Sequence, residues 1–228
     1  HITLTHAGEH FYEYSQRFLE LEEKMKMEIN SCNTYSKIIN IGCVNCIYNC
    51  HLKPHISQLM NKHTNICLNV ILDHSRHLLN RLHDNSIDVC FSYLATNEIS
   101  YKCIPYKTDE IIFVTNSQNI QFSNGIHNGE ILHLPIIYSK FMPKSGFDWI
   151  HDIFPPHYVF QFTISVIKEI IPFLLQYPYY AFLPRKLIEK ELKDGLLIEI
   201  PLLDYHIPPL QSYIIMKSNA KYNPLDYF

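Results

Sequence analysis

The sequence predicts an α/β protein organised on a parallel sheet, and three of its features do so. Between residues 38 and 93, short apolar runs alternate with stretches whose apolar residues fall at helical spacing. Strands that alternate with helices pair in parallel, because a parallel neighbour is reached only through a crossover. A second set of such elements follows between residues 134 and 200. Ahead of both, residues 7–29 read as one long helix.

That opening helix carries Ala7, Phe11, Tyr14, Phe18, Leu21 and Met25 at alternating steps of four and three. These are the seam positions of a coiled coil. At 1.5 Å per residue the helix is roughly 34 Å long. Its flanks are charged (Glu9, Arg17, Glu20, Glu22, Glu23, Lys24, Lys26), so the apolar stripe is narrow and suits a partner helix better than a broad core. Phe11, Tyr14, Phe18, Leu21 and Met25 are therefore expected to form a dimerisation seam. An ordinary amphipathic helix packed on its own domain is the plainer alternative. Residues 30–36 read as the linker that ends it.

Ile38-Ile39-Asn40-Ile41-Gly42-Cys43 reads as the first strand, and Leu52, Ile56, Leu59 and Met60 share one face of the helix after it. Residues 66–72 form the second strand, Leu78, Leu79 and Leu82 the buried face of the next helix, and residues 87–93 the third strand. This is a β-α-β-α-β unit. Residues 99–105 and 110–115 are two further strands with residues 106–109 as their connection, and residues 118–130 read as a surface loop.

In the second set, residues 134–139 are a strand, and Ser145 caps a helix through Phe154. Residues 158–163 are the next strand, and Ser165 opens a helix through Gln176 that Pro172 must kink or cut. Residues 179–183 form a strand closed by Pro184, residues 185–193 a helix ended by Gly195, and residues 196–200 a strand. Residues 210–216 are a strand of the first sheet or a crossover to it, and residues 223–228 read as the start of a helix.

With 47% hydrophobic and 18% charged residues the chain is a folding sequence, and a net charge of -3 gives no basic excess for an extensive nucleic-acid surface. Its seven cysteines are an odd set within the first 103 residues, which fits a reducing cytoplasm better than a disulfide framework. No signal peptide is read at the start. The uncharged, largely apolar run at residues 170–184 is 15 residues long, short of the roughly 20 that cross a bilayer. A buried helix and a buried strand account for it.

Cys43-x-x-Cys46-x-x-x-Cys50-His51 is loosely spaced like a metal site. No second cysteine pair follows at finger spacing, so small apolar or loop cysteines are the plainer reading, with a redox-reactive Cys46 between the two. Histidine pairs at 6 and 10, 51 and 55, and 74 and 77 read as solvated helix faces. No nucleophile elbow, glycine-rich phosphate loop or paired acids appear, so no catalytic residue, metal or cofactor is assigned.

Several short motifs, in order along the whole chain, resemble the LysR-type transcriptional regulators. Leu4-Thr5-His6-Ala7-Gly8 is similar to the passage from that family's DNA-binding wing into its linker helix. Ile39-Asn40-Ile41-Gly42, Leu52-Lys53-Pro54 and Ile87-Asp88-Val89 resemble its first strand, helix start and third strand. Ala181-Phe182-Leu183-Pro184 and Lys193-Asp194-Gly195-Leu196-Leu197 resemble a later strand end and the turn after it. Two departures stand out. Tyr177 and Tyr179 replace the glycines that lead into the strand at 179, and Pro54 comes one residue late, which implies a longer first loop.

The resemblance implies two Rossmann-like subdomains joined by two crossovers, like a periplasmic binding protein, preceded by a long linker helix. It divides the chain into the end of the DNA-binding wing and the linker helix (1–36), subdomain I (37–105 with 206–228) and subdomain II (106–205). The DNA-reading helix-turn-helix would precede His1, so DNA is a partner only through that domain. Self-association as a dimer or tetramer and a small-molecule effector are the other partners implied.

Open α/β sheets place ligands beyond the carboxyl ends of their strands. That edge holds Asn45, Cys46, Ser75 and Tyr93, and the resemblance gives Ser75 an effector contact. Ser139, Lys140 and Tyr180 are expected from the second subdomain, with Lys140 the cation that favours an anionic effector. A free-standing binding protein or enzyme of similar fold, and a cysteine-based redox or metal sensor, are the alternatives.

Overall fold

The computed structural model describes residues 4–31, 35–139 and 149–220. In chain order come α1 (His6–Ser31), β1 (Lys37–Cys43), α2 (Asn45–Ile47), a π-helical turn (Tyr48–Leu52), α3 (Lys53–Lys62), β2 (Ile66–Leu72), α4 (Ser75–His83), β3 (Val89–Ser92) and β4 (Tyr101–Asp109). Then follow β5 (Ile111–Asn116), α5 (Asn128–Ile131), β6 (Ile137–Ser139), α6 (Trp149–Ile153), β7 (Phe162–Ile164), a 3-10 turn (Ile167–Glu169) and α7 (Ile170–Gln176). The chain continues through β8 (Tyr180–Pro184), a 3-10 turn (Arg185–Ile188), α8 (Glu189–Lys193), β9 (Leu197–Glu199) and β10 (Leu210–Lys217).

Five strands form the first sheet in the order β2-β1-β3-β10-β4. β1 pairs in parallel with β2 over its whole length and with β3, while β10 is antiparallel to both β3 and β4. In the second subdomain β5 lies antiparallel between β8 and β9, and β6 pairs in parallel with β7. A parallel bridge from Ile136 to Tyr180, with Tyr180 N donating to Pro135 O at 3.0 Å, joins those two groups. The resulting order β7-β6-β8-β5-β9 repeats the first sheet strand for strand and direction for direction. In each sheet the antiparallel strand, β10 or β5, arrives from the other subdomain. Those two arrivals are the two crossovers.

Local sequence explains the joints. Thr5 caps α1, its Oγ1 accepting from Gly8 N at 3.1 Å. A Cβ on Gly42 would collide with Ile87 Cδ1 and lie 2.9 Å from Leu78 Cδ2, so glycine lets α4 settle on β1. Gly195, at φ 67°, closes α8 with its N–H on Leu192 O while Leu196 N reaches Glu191 O, the paired bonds of a left-handed helix end. The buried helix and strand read from residues 170–184 are α7 and β8, and among the described residues no helix is long and apolar enough to cross a membrane.

Helix α1 meets subdomain I through a polar face. Arg17 pairs with Asp84 at 3.5 Å, Glu20 with Arg81, and Lys24 with Asp88 at 3.4 Å. Asp88 Oδ2 in turn accepts from Asn40 N at 2.7 Å and Asn40 Nδ2 at 3.0 Å, and Asn40 Oδ1 accepts from Asn69 Nδ2 at 2.9 Å. Helix α1 is thereby tied through one carboxylate to β1 and β2 of the first sheet. Its apolar seam is left open, with Phe11 76% and Phe18 71% exposed and Tyr14, Leu21 and Met25 also exposed.

Several expectations need correction. Residues 106–109 are not a connection but the end of β4, an edge strand whose alternating exposure looks polar, so the chain leaves the first sheet after Asp109 rather than at 105. Strand β7 starts at Phe162, later than 158. The helix expected from Ser165 starts at Ile167 as a 3-10 turn and runs on directly into α7 from Ile170, which leaves Pro172 in the first α-helical turn where its missing N–H breaks nothing. The expected loop at 118–130 ends in the short helix α5. Ser145 and residues 223–228 lie outside the described residues.

Candidate functional site

The carboxyl ends of β1, β2, β3 and β4 lie along one edge of the first sheet, because β3 and β4 both run antiparallel to β10. On the second sheet the parallel strands β6, β7 and β8 end at Ser139, Ile164 and Pro184. Helix α2, just past β1, packs against the 3-10 turn past β7, and the π-helical turn packs against the turn past β8. The two carboxyl edges therefore face each other across the junction between the sheets. That is where a ligand of such a fold belongs.

Helix α4 brings its start to this edge. The N–H groups of Ser75, Arg76 and His77 have no acceptor among the described residues, and the first helical bond is Leu78 N to His74 O at 3.0 Å. Ser75 does not cap its own helix. Its Oγ accepts from Tyr93 N at 3.3 Å, which ties the helix start to the end of β3. Ser75 is 5% and Tyr93 5% exposed, so both sit just under the surface of the edge. Burial, then the Cys46 thiol, pushes the Tyr93 phenol well above its ordinary range and keeps it a neutral hydroxyl.

Cys46 differs from expectation: its exposure is 0%, so its side chain does not face an open cleft. The reason is local. No loop follows β1; the chain turns directly into helix, and Cys46 Sγ points inward to lie 3.9 Å from Cys50 Sγ. The hydrogen bond to Cys46, and then burial, raises the Cys50 thiol far above its usual range. The nucleophilic and metal-binding thiolate is thus disfavoured there. The six described cysteines are free, and among the described residues no three His, Cys, Asp or Glu side chains gather as a metal site. Asn45, half-buried, accepts from Asn49 Nδ2 on its carbonyl and its side chain.

On the facing wall Ser139 reaches the edge, and its buried Oγ has no partner among the described residues. Lys140 lies outside the described residues. Tyr180 stands at the other end of the molecule's second sheet, because it begins β8 whereas the cleft lies beyond the end of that strand. Its ring stacks on Phe113 at 5.5 Å and meets Phe122 at 6.4 Å, as a core residue. Tyr177 and Tyr179 share that amino end, so they cannot fill the cleft.

The sequence model of the LysR substrate binding domain matches residues 33–225. The chain belongs to this family. Among solved structures, this LysR substrate-binding chain is similar to CrgA, a LysR-type transcriptional regulator from Neisseria meningitidis, at 13% identity over 95% of this chain and 74% of that one, TM-score 0.67. It is also similar to a hydrogen-peroxide-bound OxyR mutant from Corynebacterium glutamicum, at 18% identity over 95% and 70%, TM-score 0.63. A third likeness is the BenM effector binding domain with its effector benzoate, at 16% identity over 85% and 89%, TM-score 0.62. At such identities the likeness speaks for the periplasmic-binding-protein-like fold alone. No curated protein matches the sequence.

The two departures from the LysR pattern now have structural accounts. Tyr177 ends α7 in an extended conformation (φ -132°, ψ 157°), so no left-handed residue is needed where the family has glycine. The extra residue before Pro54 lengthens no loop. It is taken up by the π-helical turn, where Lys53 N bonds Tyr48 O and the turn holds one residue more than an α-helical one.

That turn also carries a site residue the sequence reading missed. His51 Nε2 lies 2.8 Å from Asp109 Oδ1, and Asp109 ends β4 on the same edge as Ser75 and Tyr93. Asp109 was passed over because it lay in the polar stretch read as a connection.

Proposed function

We propose that this chain is the effector-sensing and oligomerising part of a LysR-type DNA-binding regulator, and that its effector is a small organic acid held between the facing strand edges. The observation that carries the acid is the start of α4. Three N–H groups without acceptors among the described residues sit there beside the Ser75 hydroxyl, and the partial positive charge of a helix start favours an anion. Benzoate as the effector of the BenM domain supports an acid of this size. The exposed seam of α1 supports pairing with a second copy, and the docked polar face gives subdomain I a grip on that helix. DNA is reached through the helix-turn-helix that precedes a LysR linker helix. Occupancy shifts the angle between subdomains I and II, and through α1 the spacing of the DNA-binding domains.

Thermal-shift screening of benzoate and other small organic acids, followed by calorimetry on Ser75→Ala, tests the reading. Losing a hydrogen bond to a charged group costs about 1.5–3 kcal/mol, so Ser75→Ala is expected to weaken binding roughly 10- to 150-fold. Stabilisation by neutral or cationic compounds alone, or unchanged affinity in a folded Ser75→Ala variant, would overturn it.

A further inference from the structure

Asp109 is buried at the end of β4, with its side chain 2% exposed. One carboxylate oxygen faces His51 Nε2 at 2.8 Å, while the other, Oδ2, has no partner among the described residues. A carboxylate oxygen taken out of water and left without a donor is unfavourable, so such an atom calls for a donor from elsewhere. Lys186, on the turn past β8 that packs against the His51 turn, gives its ammonium to Glu189.

The position of Asp109 makes the missing donor informative. It shares the carboxyl edge with the start of α4. Tyr93 donates its N–H to Ser75 Oγ at 3.3 Å, while its phenol lies close enough for the Asp109 charge to act on it, after burial and Cys46. The helix start and the carboxylate have opposite polarity. Ser139 Oγ, also buried and without a partner among the described residues, faces this edge from the other subdomain.

We propose that Asp109 is an effector-binding residue, held by His51, that takes a hydrogen-bond donor on the effector, so that the effector is a small acid bearing a protonated amine. This rests on the reading of the cleft as an acid site and narrows it. The amine meets Asp109 Oδ2 while the acid meets the start of α4. A hydroxyl at the same position is the weaker form of the same contact, because it donates without charge.

The test is calorimetry with three matched series, each an amino acid, its 2-hydroxy acid and its unsubstituted acid, with phenylalanine, leucine and glutamate side chains. In the best-binding series the amino acid is expected to bind at least about tenfold more tightly than the unsubstituted acid, with the hydroxy acid between them. In Asp109→Asn that advantage is expected to fall below about threefold while the unsubstituted acid keeps its affinity. Equal binding of amino and unsubstituted acids by the parent protein overturns the donor site and leaves the acid site standing. Failure of all nine compounds to bind overturns both. Should Asp109→Asn not fold, the ranking by the parent protein decides alone.

Discussion

Replacing Asp88 with alanine is expected to lower the stability of the chain by about 2–5 kcal/mol. Its carboxylate accepts from both the backbone N–H and the side-chain amide of Asn40, and Asn40 is 6% exposed. Removing the acceptor strands two buried donors, each costing about 1–3 kcal/mol when left unmade. Lys24 also loses its ion pair, although it keeps its bond to Asn85 O. That half-buried ion pair contributes less than the two stranded donors, so the loss is carried by the interior. Urea unfolding with an unchanged m-value measures it. A loss under about 1 kcal/mol would mean that water reaches Asn40 and that the tie between linker helix and sheet is not a stabilising one.

The second large effect concerns association. Phe18→Glu with Leu21→Glu is expected to weaken self-association at least about 100-fold. Burying a large apolar side chain is worth roughly 1.5–3 kcal/mol, a symmetric dimer buries each one twice, and the new carboxylates face each other across the seam. Phe18 is 71% and Leu21 39% exposed, so neither holds its own domain together. The docking residues Arg17, Glu20 and Lys24 are unchanged in this variant. Sedimentation equilibrium decides. An unchanged association constant would mean that the stripe is not the interface.

The strands and helices nearest the first sheet were legible because two signals coincide in each. β1 is apolar on both faces, as a strand covered on both sides must be, and α4 keeps Leu78 and Leu82 inward at helical spacing. β8 was bounded by Pro184 and α8 by Gly195, residues that act on the backbone itself. What failed had a different cause in each case. β4 lies on the edge of its sheet, so Lys107 and Thr108 remain exposed and look like a turn. Cys46 was placed in a cleft wall because the helix beginning at Asn45 carries no apolar period that separates it from a loop.

The candidate site shows the same division. Ser75 and Tyr93 follow from strand order alone, since the ends of β2 and β3 are fixed by their sequences. Tyr180 fails on direction: a strand's residues do not announce which end meets the cleft until its neighbours are known. His51 and Asp109 are 58 residues apart and meet only through the π-helical turn and the true length of β4. No local pattern encodes that meeting.

The claim that a small acid occupies the junction of the two sheets is tested most directly by amide hydrogen exchange with and without the strongest stabilising acid from the screen. Slower exchange is expected in residues 75–78 at the start of α4, in residues 92–95 after β3, and in the turns Ile167–Glu169 and Arg185–Ile188 across the cleft. A separate cavity of about 330 Å³, lined by residues that include Leu134, Ile136, Tyr158 and Phe160, lies at the opposite end of the second sheet. Protection confined to residues 132–136 and 158–161, with the start of α4 unchanged, would contradict the account.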